Sequence, residues 1–253
     1  MPCLWRDEAV AALGLTGEAV MAAISPGAAF PSVLRSIVSA LPAAVGTVVD
    51  LGAGAGGASE WLRHQLGASV IAIEPASRAR DVARRRFPLL DVRDGQADRT
   101  GLAAHSADMV VLCGVLSLID DLAPVLDEVT LLLRQPGHVA IADLFPADAV
   151  GFEAGPNSFR SFEGLGRLIE QRGFTLVEIG CGPAQPDPAW SVVAQQVSEW
   201  IEANCADRPG FVEWHDDQAH LQRQIDSGQV LGGCVVASNA TATDGITTDV
   251  TSG

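Results

Sequence analysis

Val48-Val49-Asp50-Leu51-Gly52-Ala53-Gly54-Ala55-Gly56-Gly57 is the stretch that decides how this chain folds. Residues 47–51 are an apolar run of strand type that carries one acid, Asp50. Glycines follow at 52, 54, 56 and 57, and residues 58–66 then read as a helix. Glycine adopts positive φ without strain and lets a ligand approach the bare backbone. The helix start adds N–H groups that have no intrahelical partner. A second apolar strand, residues 69–73, ends at Glu74-Pro75, with Glu74 twenty residues beyond Gly54. An acid in that place accepts hydrogen bonds from ribose hydroxyls. Strand, glycine bend, helix, strand and acid together specify an adenosine-type ligand above the carboxyl ends of a parallel sheet.

Outward from this stretch the alternation continues. An Arg-rich helix is expected at 76–87, strands at 89–92 and 107–113, and a helix at 122–133 stopped by Pro136-Gly137. A fifth strand is expected at 138–142, a helix at 162–171, and strands at 174–179 and 230–238. Strand and helix in alternation mean a parallel sheet covered on both faces. The expected class is therefore α/β, a doubly wound, seven-stranded, mostly parallel Rossmann-like sheet with its last strand antiparallel. Residues 1–44 read as an N-terminal helical lid and 45–182 as the cofactor-binding core. Residues 183–229 read as a helical cap with helices at 190–205 and 211–226. Residues 230–238 are the last core strand and 239–253 a disordered tail.

Composition removes several chemistries. The chain has 253 residues, a net charge of −15, no Tyr, and cations that are all Arg. Lysine Schiff-base and P-loop chemistry are thereby excluded. The acidity argues against nucleic acid as a partner. The longest apolar run, residues 109–119, is too short to span a bilayer, and the charged N-terminus is unlike a signal peptide, so a cytoplasmic protein is expected. The five cysteines (Cys3, Cys113, Cys181, Cys205, Cys234) have no metal-ligand spacing. No metal is expected.

Gly52, Gly54 and Gly57 also satisfy GxGxxG, which keeps an NAD(P)-dependent oxidoreductase open. Asp50 favours a different ligand, because an acid two positions before the first glycine suits a cationic amine and repels a pyrophosphate. The chain also lacks a second nucleotide-binding half.

The pattern VVDLGAGAG, the segment VIAIEP, Gly95-Gln96-Ala97-Asp98, Ala107-Asp108-Met109-Val110-Val111 and the turn Leu133-Arg134-Gln135-Pro136-Gly137-His138 together resemble class I S-adenosylmethionine-dependent methyltransferases of the type 11 kind. The resemblance covers residues 45–182 and 230–238. It implies S-adenosyl-L-methionine as cofactor and assigns roles residue by residue. Asp50, Gly52, Ala53 and Gly54 would face the methionine part, with Gly56 keeping the turn compact. Glu74, with Pro75, would hold the ribose. Gln96 and Ala97 would lie at the adenine, and Cys113 and Gly114 near the sulfonium. Gln96 replaces an acid common in the family, and residues 114–119 (GVLSLI) give an apolar floor near the methyl group.

Methyl transfer needs an acceptor lone pair and, for some acceptors, a base. Candidates are Asp143 at the end of the fifth strand and His215 on the cap, with Asp120, Asp121 and His220 behind them. Trp190, Trp200, Trp214, Phe211 and Phe159 either line an acceptor pocket or pack the cap onto the sheet. The expected function is methyl transfer to a small-molecule acceptor, with a place in specialised metabolism. A catalytically silent cofactor-binding protein is the other alternative, and the oligomeric state stays open, a homodimer among the options.

Overall fold

The computed structural model describes residues 2–24, 31–41, 44–148, 152–154, 157–159, 161–183 and 188–240. Three helices come first: α1 (Pro2–Ala12), α2 (Glu18–Ile24) and α3 (Pro31–Ala40). The alternating part runs β1 (Thr47–Leu51), α4 (Gly57–Leu66), β2 (Ser69–Ile73), α5 (Ser77–Arg86), β3 (Asp91–Arg93) and β4 (Ala107–Cys113). A 3-10 turn at Leu116–Leu118 leads into α6 (Leu122–Leu132) and the long strand β5 (Leu133–Pro146). A small hairpin, β6 (Phe152–Ala154) and β7 (Asn157–Phe159), precedes α7 (Phe162–Glu170) and β8 (Thr175–Pro183). Helices α8 (Pro188–Cys205) and α9 (Phe211–Asp226) then lead to β9 (Val230–Ser238).

Seven strands form one sheet in the order β3-β2-β1-β4-β5-β9-β8. Neighbours from β3 to β5 are parallel, and β9 runs antiparallel between β5 and β8. The expected class and the antiparallel last strand are both present. The order reverses between β1 and β4, which opens a crevice at the carboxyl ends of those strands.

Period-two alternation divides the core. Val48, Val70, Ala72, Met109, Val111, Ala140, Ala142, Cys234 and Val236 belong to one apolar cluster with residues of α1 to α5 and α8. Their neighbours Val49, Ile73, Val110, Leu112, Val139, Ile141, Val235 and Ala237 belong to the other, with α6 and α7. Successive side chains point to opposite faces, so each strand feeds both clusters. Asp50 and Cys113 share the parity of the first cluster, and Asp143 that of the second.

Three element boundaries differ from expectation. The third strand is Asp91–Arg93 and not 89–92, because Leu90 donates its N–H back to Phe87 and ends a turn there. Strand β5 begins at Leu133, ahead of Pro136-Gly137, and the register shift between Ala107 and Met109 takes up residues 134–137. A proline with no N–H is accommodated at such an irregularity. Strand β8 continues to Pro183 because β9 offers partners as far as Leu231. The hairpin β6–β7 has no counterpart in the sequence reading. The tail from 241 onward lies outside the described residues. No described helix is long and apolar enough to cross a membrane.

Candidate functional site

The glycine bend is shaped by two kinds of constraint. Gly52 has φ +76°, and a Cβ placed on it would lie 2.5 Å from Val115 Cγ2. Gly54 has φ +57°, yet a Cβ there would meet nothing within 4 Å. Gly52 is therefore required by protein packing, whereas Gly54 borders open space. That space is a cavity of about 710 Å³. Gly56, at φ 84°, caps α4 and packs on Ala83, Phe87 and Leu90, away from the cavity.

Glu74 locks the bend from the neighbouring strand. Its Oε2 accepts from the Gly54 N–H at 2.8 Å and its Oε1 from the Ala76 N–H at 2.8 Å. Each oxygen keeps a lone pair for a ligand hydroxyl. Gln96 pairs backbone to backbone with Arg99 in a tight turn, which presents Gln96, Ala97 and Asp98 to the same cavity.

Asp50 lies under the bend, 1% exposed. Ser59 Oγ donates to its Oδ2 at 2.5 Å, and its Oδ1 is buried without a hydrogen-bond partner. Burial raises its pKa to about 6; the Ser59 bond opposes this and the Glu74 charge adds to it. Burial likewise pushes the Cys113 thiol well above its usual value, with the Asp50 and Asp143 charges acting in the same direction. Cys113 is thus a neutral thiol and not a nucleophile.

Nine of the residues expected at a cofactor do line the cavity: Gly52, Ala53, Gly54, Glu74, Pro75, Gln96, Ala97, Cys113 and Gly114. Asp50 and Gly56 lie just outside it, as support. The apolar floor is present as Val115, Leu118 and Ile119.

The two leading base candidates do not reach the cavity. Asp143 is 2% exposed, and its oxygens accept from Leu116 N–H at 2.8 Å and Leu144 N–H at 2.7 Å. Burial lifts its pKa to about 6, against the lowering by the backbone bonds from Leu144, Leu116 and Val115. It holds the turn after β4 in place. His215 stacks on Phe211 with ring centroids 5.7 Å apart and sits 3.6 Å from Asp216 on α9, outside the lining. The acids that do line the cavity are the pair placed second, Asp120 and Asp121. Asp121 also caps α6 by accepting from the Ala123 N–H at 2.9 Å.

The aromatic residues divide as well. Trp5, Phe211 and Trp214 form a packing cluster, with Trp5 and Trp214 edge to face at 5.7 Å. Trp190 is 6% exposed within the core and donates to Glu18. None of these rings lines the cavity. The Phe159 side chain is outside the described residues.

The N-terminal segment is expected to be a lid, but none of its residues is singled out for the site. Cys3 and Arg6 of α1 and Ile24 of α2 line the cavity together with the bend. They lie between about thirty and fifty residues before the glycines, and no local pattern marks them. Among the lining side chains, the carboxylates of Glu74, Asp98, Asp120 and Asp121 face one guanidinium, that of Arg6. Among the described residues no cluster of His, Cys, Asp and Glu is placed to hold a metal ion.

Residues 49–141 match the family described as Methyltransferase domain. No curated protein matches the chain. Among solved structures, the chain is similar to phosphoethanolamine N-methyltransferase 2 of Haemonchus contortus in complex with S-adenosyl-L-methionine. Identity is 15% over 83% of this chain and 52% of that one, with a TM-score of 0.61, so this chain spans about half of that relative. It is also similar to geranyl diphosphate C-methyltransferase from Streptomyces coelicolor A3(2) in complex with Mg2+, geranyl-S-thiolodiphosphate and S-adenosyl-L-homocysteine (13%, 82% of this chain, 75% of that one, TM-score 0.60). The [4+2]-cyclase SpnF is similar to the same degree (15%, 82% and 80%, TM-score 0.64). At these identities the likeness is one of fold, and the site has to carry the chemistry.

Proposed function

We propose that this chain, whose residues 49–141 belong to the methyltransferase domain family, transfers a methyl group from S-adenosyl-L-methionine to a small-molecule acceptor. The observation that carries the reading is the buried, half-satisfied carboxylate of Asp50 beneath an open glycine bend. Its Oδ1 has no partner among the described residues, and the lining of the cavity carries four carboxylates against one guanidinium. Such a site favours a cationic nucleoside and disfavours a diphosphate. The sheet order, with an antiparallel strand between β5 and β8, likewise departs from the all-parallel 3-2-1-4-5-6 order of dinucleotide folds.

The residues fit the cofactor. Glu74 would take the ribose hydroxyls, and Gln96, Ala97 and Asp98 the adenine. The backbone of Gly52 to Gly54 would take the amino-acid end, and Cys113 and Gly114 would lie at the sulfur; all of them line the one cavity. When bound, the cofactor supplies an activated methyl group on a sulfonium, whose positive charge disperses as the methyl leaves. The chain's own work is alignment and exclusion of water. Val115, Leu118 and Ile119 form the apolar side of the cavity and offer an acceptor apolar contact. A volume of about 710 Å³ lies within the range for a drug-sized ligand, as a nucleoside cofactor needs. Asp120 and Asp121 stand exposed at the rim, where either takes a proton from an acceptor that must lose one. Helices α1 and α2 act as the lid. Helices α8 and α9 act as a cap over the lid. The free thiols Cys3, Cys113, Cys205 and Cys234 suit a reducing, cytoplasmic setting, and a tailoring role in specialised metabolism belongs to the same reading.

The test is a methyl-transfer screen. Methyl-labelled S-adenosylmethionine is incubated with the protein and panels of alcohols, amines, thiols and activated carbons, and products are read by mass. Label in a small molecule is the expected result. Binding of NAD(H) in place of the sulfonium nucleoside would contradict the proposal. Tight nucleoside binding with no transfer to any panel would favour a chain that binds the cofactor without using its methyl group.

A further inference from the structure

Arg6 differs from the chain's surface arginines. Arg63, Arg86, Arg93, Arg134 and Arg208 each pair with a carboxylate within 3 Å. Arg6 is 7% exposed and pairs with none among the described residues. Among the described residues it makes a single hydrogen bond, Nη1 to the Ala23 carbonyl at 3.1 Å, and its Nε is buried without a partner there. Burial lowers its pKa to about 10. Taking a charge out of water without a counter-ion is costly, and proteins retain such a group where something else supplies the opposite charge. Arg6 lines the cavity, and among the described residues the Ala23 carbonyl is the partner its guanidinium has.

The residues around it hold it in place. Asp7 accepts from Arg86 Nε at 2.6 Å and from Arg85 at 2.7 Å, which docks α1 on α5. Glu8 takes both Nη atoms of Arg208, at 2.9 and 2.7 Å. Trp5 packs into the cluster with Phe211 and Trp214. Residues 5, 7 and 8 thus anchor α1 to the core and to the region of α9, and the residue between them is left facing the cavity. A sulfonium or ammonium is repelled there and drawn to the lining acids Glu74, Asp98, Asp120 and Asp121. The complementary ligand carries a positive centre and, a short distance away, an anion that a planar fork grips in two places.

We infer that Arg6 binds the carboxylate at the amino-acid end of the sulfonium nucleoside. This inference rests on the function proposed above for the same cavity. It makes the N-terminal helices part of the cofactor site, and not merely its cover. Cofactor discrimination then has two halves: the bend and Glu74 select the nucleoside, while Arg6 selects the amino acid attached to it.

The test compares two ligands that differ only in that end. S-adenosylhomocysteine carries the amino acid, and 5′-methylthioadenosine does not. Calorimetric titration is run on the wild type, Arg6→Met and Arg6→Lys. Arg6→Met is expected to weaken S-adenosylhomocysteine about tenfold or more and 5′-methylthioadenosine less than about twofold. Arg6→Lys should recover part of the loss, because it restores charge without the fork. The melting temperature of the ligand-free Arg6→Met protein should stay level or rise, since an unpaired buried charge is removed, and this shows that the variant folds. Equal losses for both ligands, or no loss for either, would overturn the inference. A wild type that binds neither nucleoside would overturn the proposed function, and this inference with it. A wild type that binds both ligands, with Arg6→Met weakening them equally, would overturn the inference alone.

Discussion

The floor and the roof of the cavity are built in different ways. The floor comes from one continuous stretch, β1 to β2, where Asp50, Gly52, Gly54 and Glu74 stand within twenty-five residues of one another. Their geometry is fixed by short-range bonds, Gly54 N–H to Glu74 and Ser59 to Asp50. The roof comes from α1 and α2, about thirty to fifty residues upstream, and α1 is held by side-chain bonds over long separations, Asp7 to Arg86 and Glu8 to Arg208. A floor of this kind leaves a signature of spacing. A roof of this kind is legible as helices but leaves no signature of which residue enters the site, because any helix with one arginine would read the same.

The largest expected effect separates two floor glycines. Gly52→Val should abolish both folding and nucleoside binding, since its Cβ alone would sit 2.5 Å from Val115. Gly54→Ala should fold, losing about 1–2 kcal/mol for a residue held at positive φ, and should bind S-adenosylhomocysteine at least about tenfold more weakly. Circular dichroism and titration read the two properties separately. If both variants behave alike, the division between packing glycine and ligand glycine is wrong.

Asp50 and Asp143 sharpen the same contrast. Both are buried and both have their pKa lifted to about 6. Asp143 gives its oxygens to backbone N–H groups, so Asp143→Ala should cost about 1–3 kcal/mol of stability through the donors it strands. Asp50→Asn should cost little stability and weaken S-adenosylhomocysteine about tenfold. Glu74→Ala should weaken it by a similar factor, with a loss of stability besides, because two N–H donors lose their acceptor. Thermal melts beside titrations give both numbers, and a stability loss in Asp50→Asn as large as that in Asp143→Ala would merge two roles we separate.

The pKa of Asp50 fixes a pH dependence. Above about pH 6 the ligand-free protein carries the Asp50 charge that a ligand ammonium needs. Below it the carboxyl is protonated, and binding must first release that proton. Affinity for S-adenosylhomocysteine should therefore fall as pH drops through 6, by up to about tenfold per unit. 5′-Methylthioadenosine, which has no ammonium, should show no such slope. Neither ligand should show it in Asp50→Asn.

The smallest effect belongs to the roof's anchor. Although burial opposes it, pairing with Arg86 and Arg85 holds the Asp7 carboxyl below its usual range. The stabilisation is therefore complete above the ordinary carboxylate pKa of 3.8 and is lost as pH falls below it. Asp7→Asn should lower stability by about 1 kcal/mol or less, because the pair is partly exposed. His215→Ala should leave methyl transfer unchanged, as its ring lies outside the cavity.

The fold was legible wherever period and punctuation agreed. β1, β2, β4 and β9 have the bounds that their apolar runs suggest. β5 was misjudged because Pro136-Gly137 looks like a stop, whereas a register shift absorbs it. The site was legible where one ligand group meets one short motif. It was illegible where a carboxylate's partners decide its role. Asp143 at a strand end and Asp120 in a loop look equally able to act as a base in sequence. Only the bonds to Leu116 and Leu144 take the first out of consideration.

The most direct measurement is a crystal structure of the protein with S-adenosylhomocysteine. We predict the ribose on Glu74, the sulfur toward Cys113 and Gly114, and the amino-acid end between the Gly52–Gly54 bend and Arg6. A nucleoside bound elsewhere, or the bend closed on a diphosphate, would contradict the account.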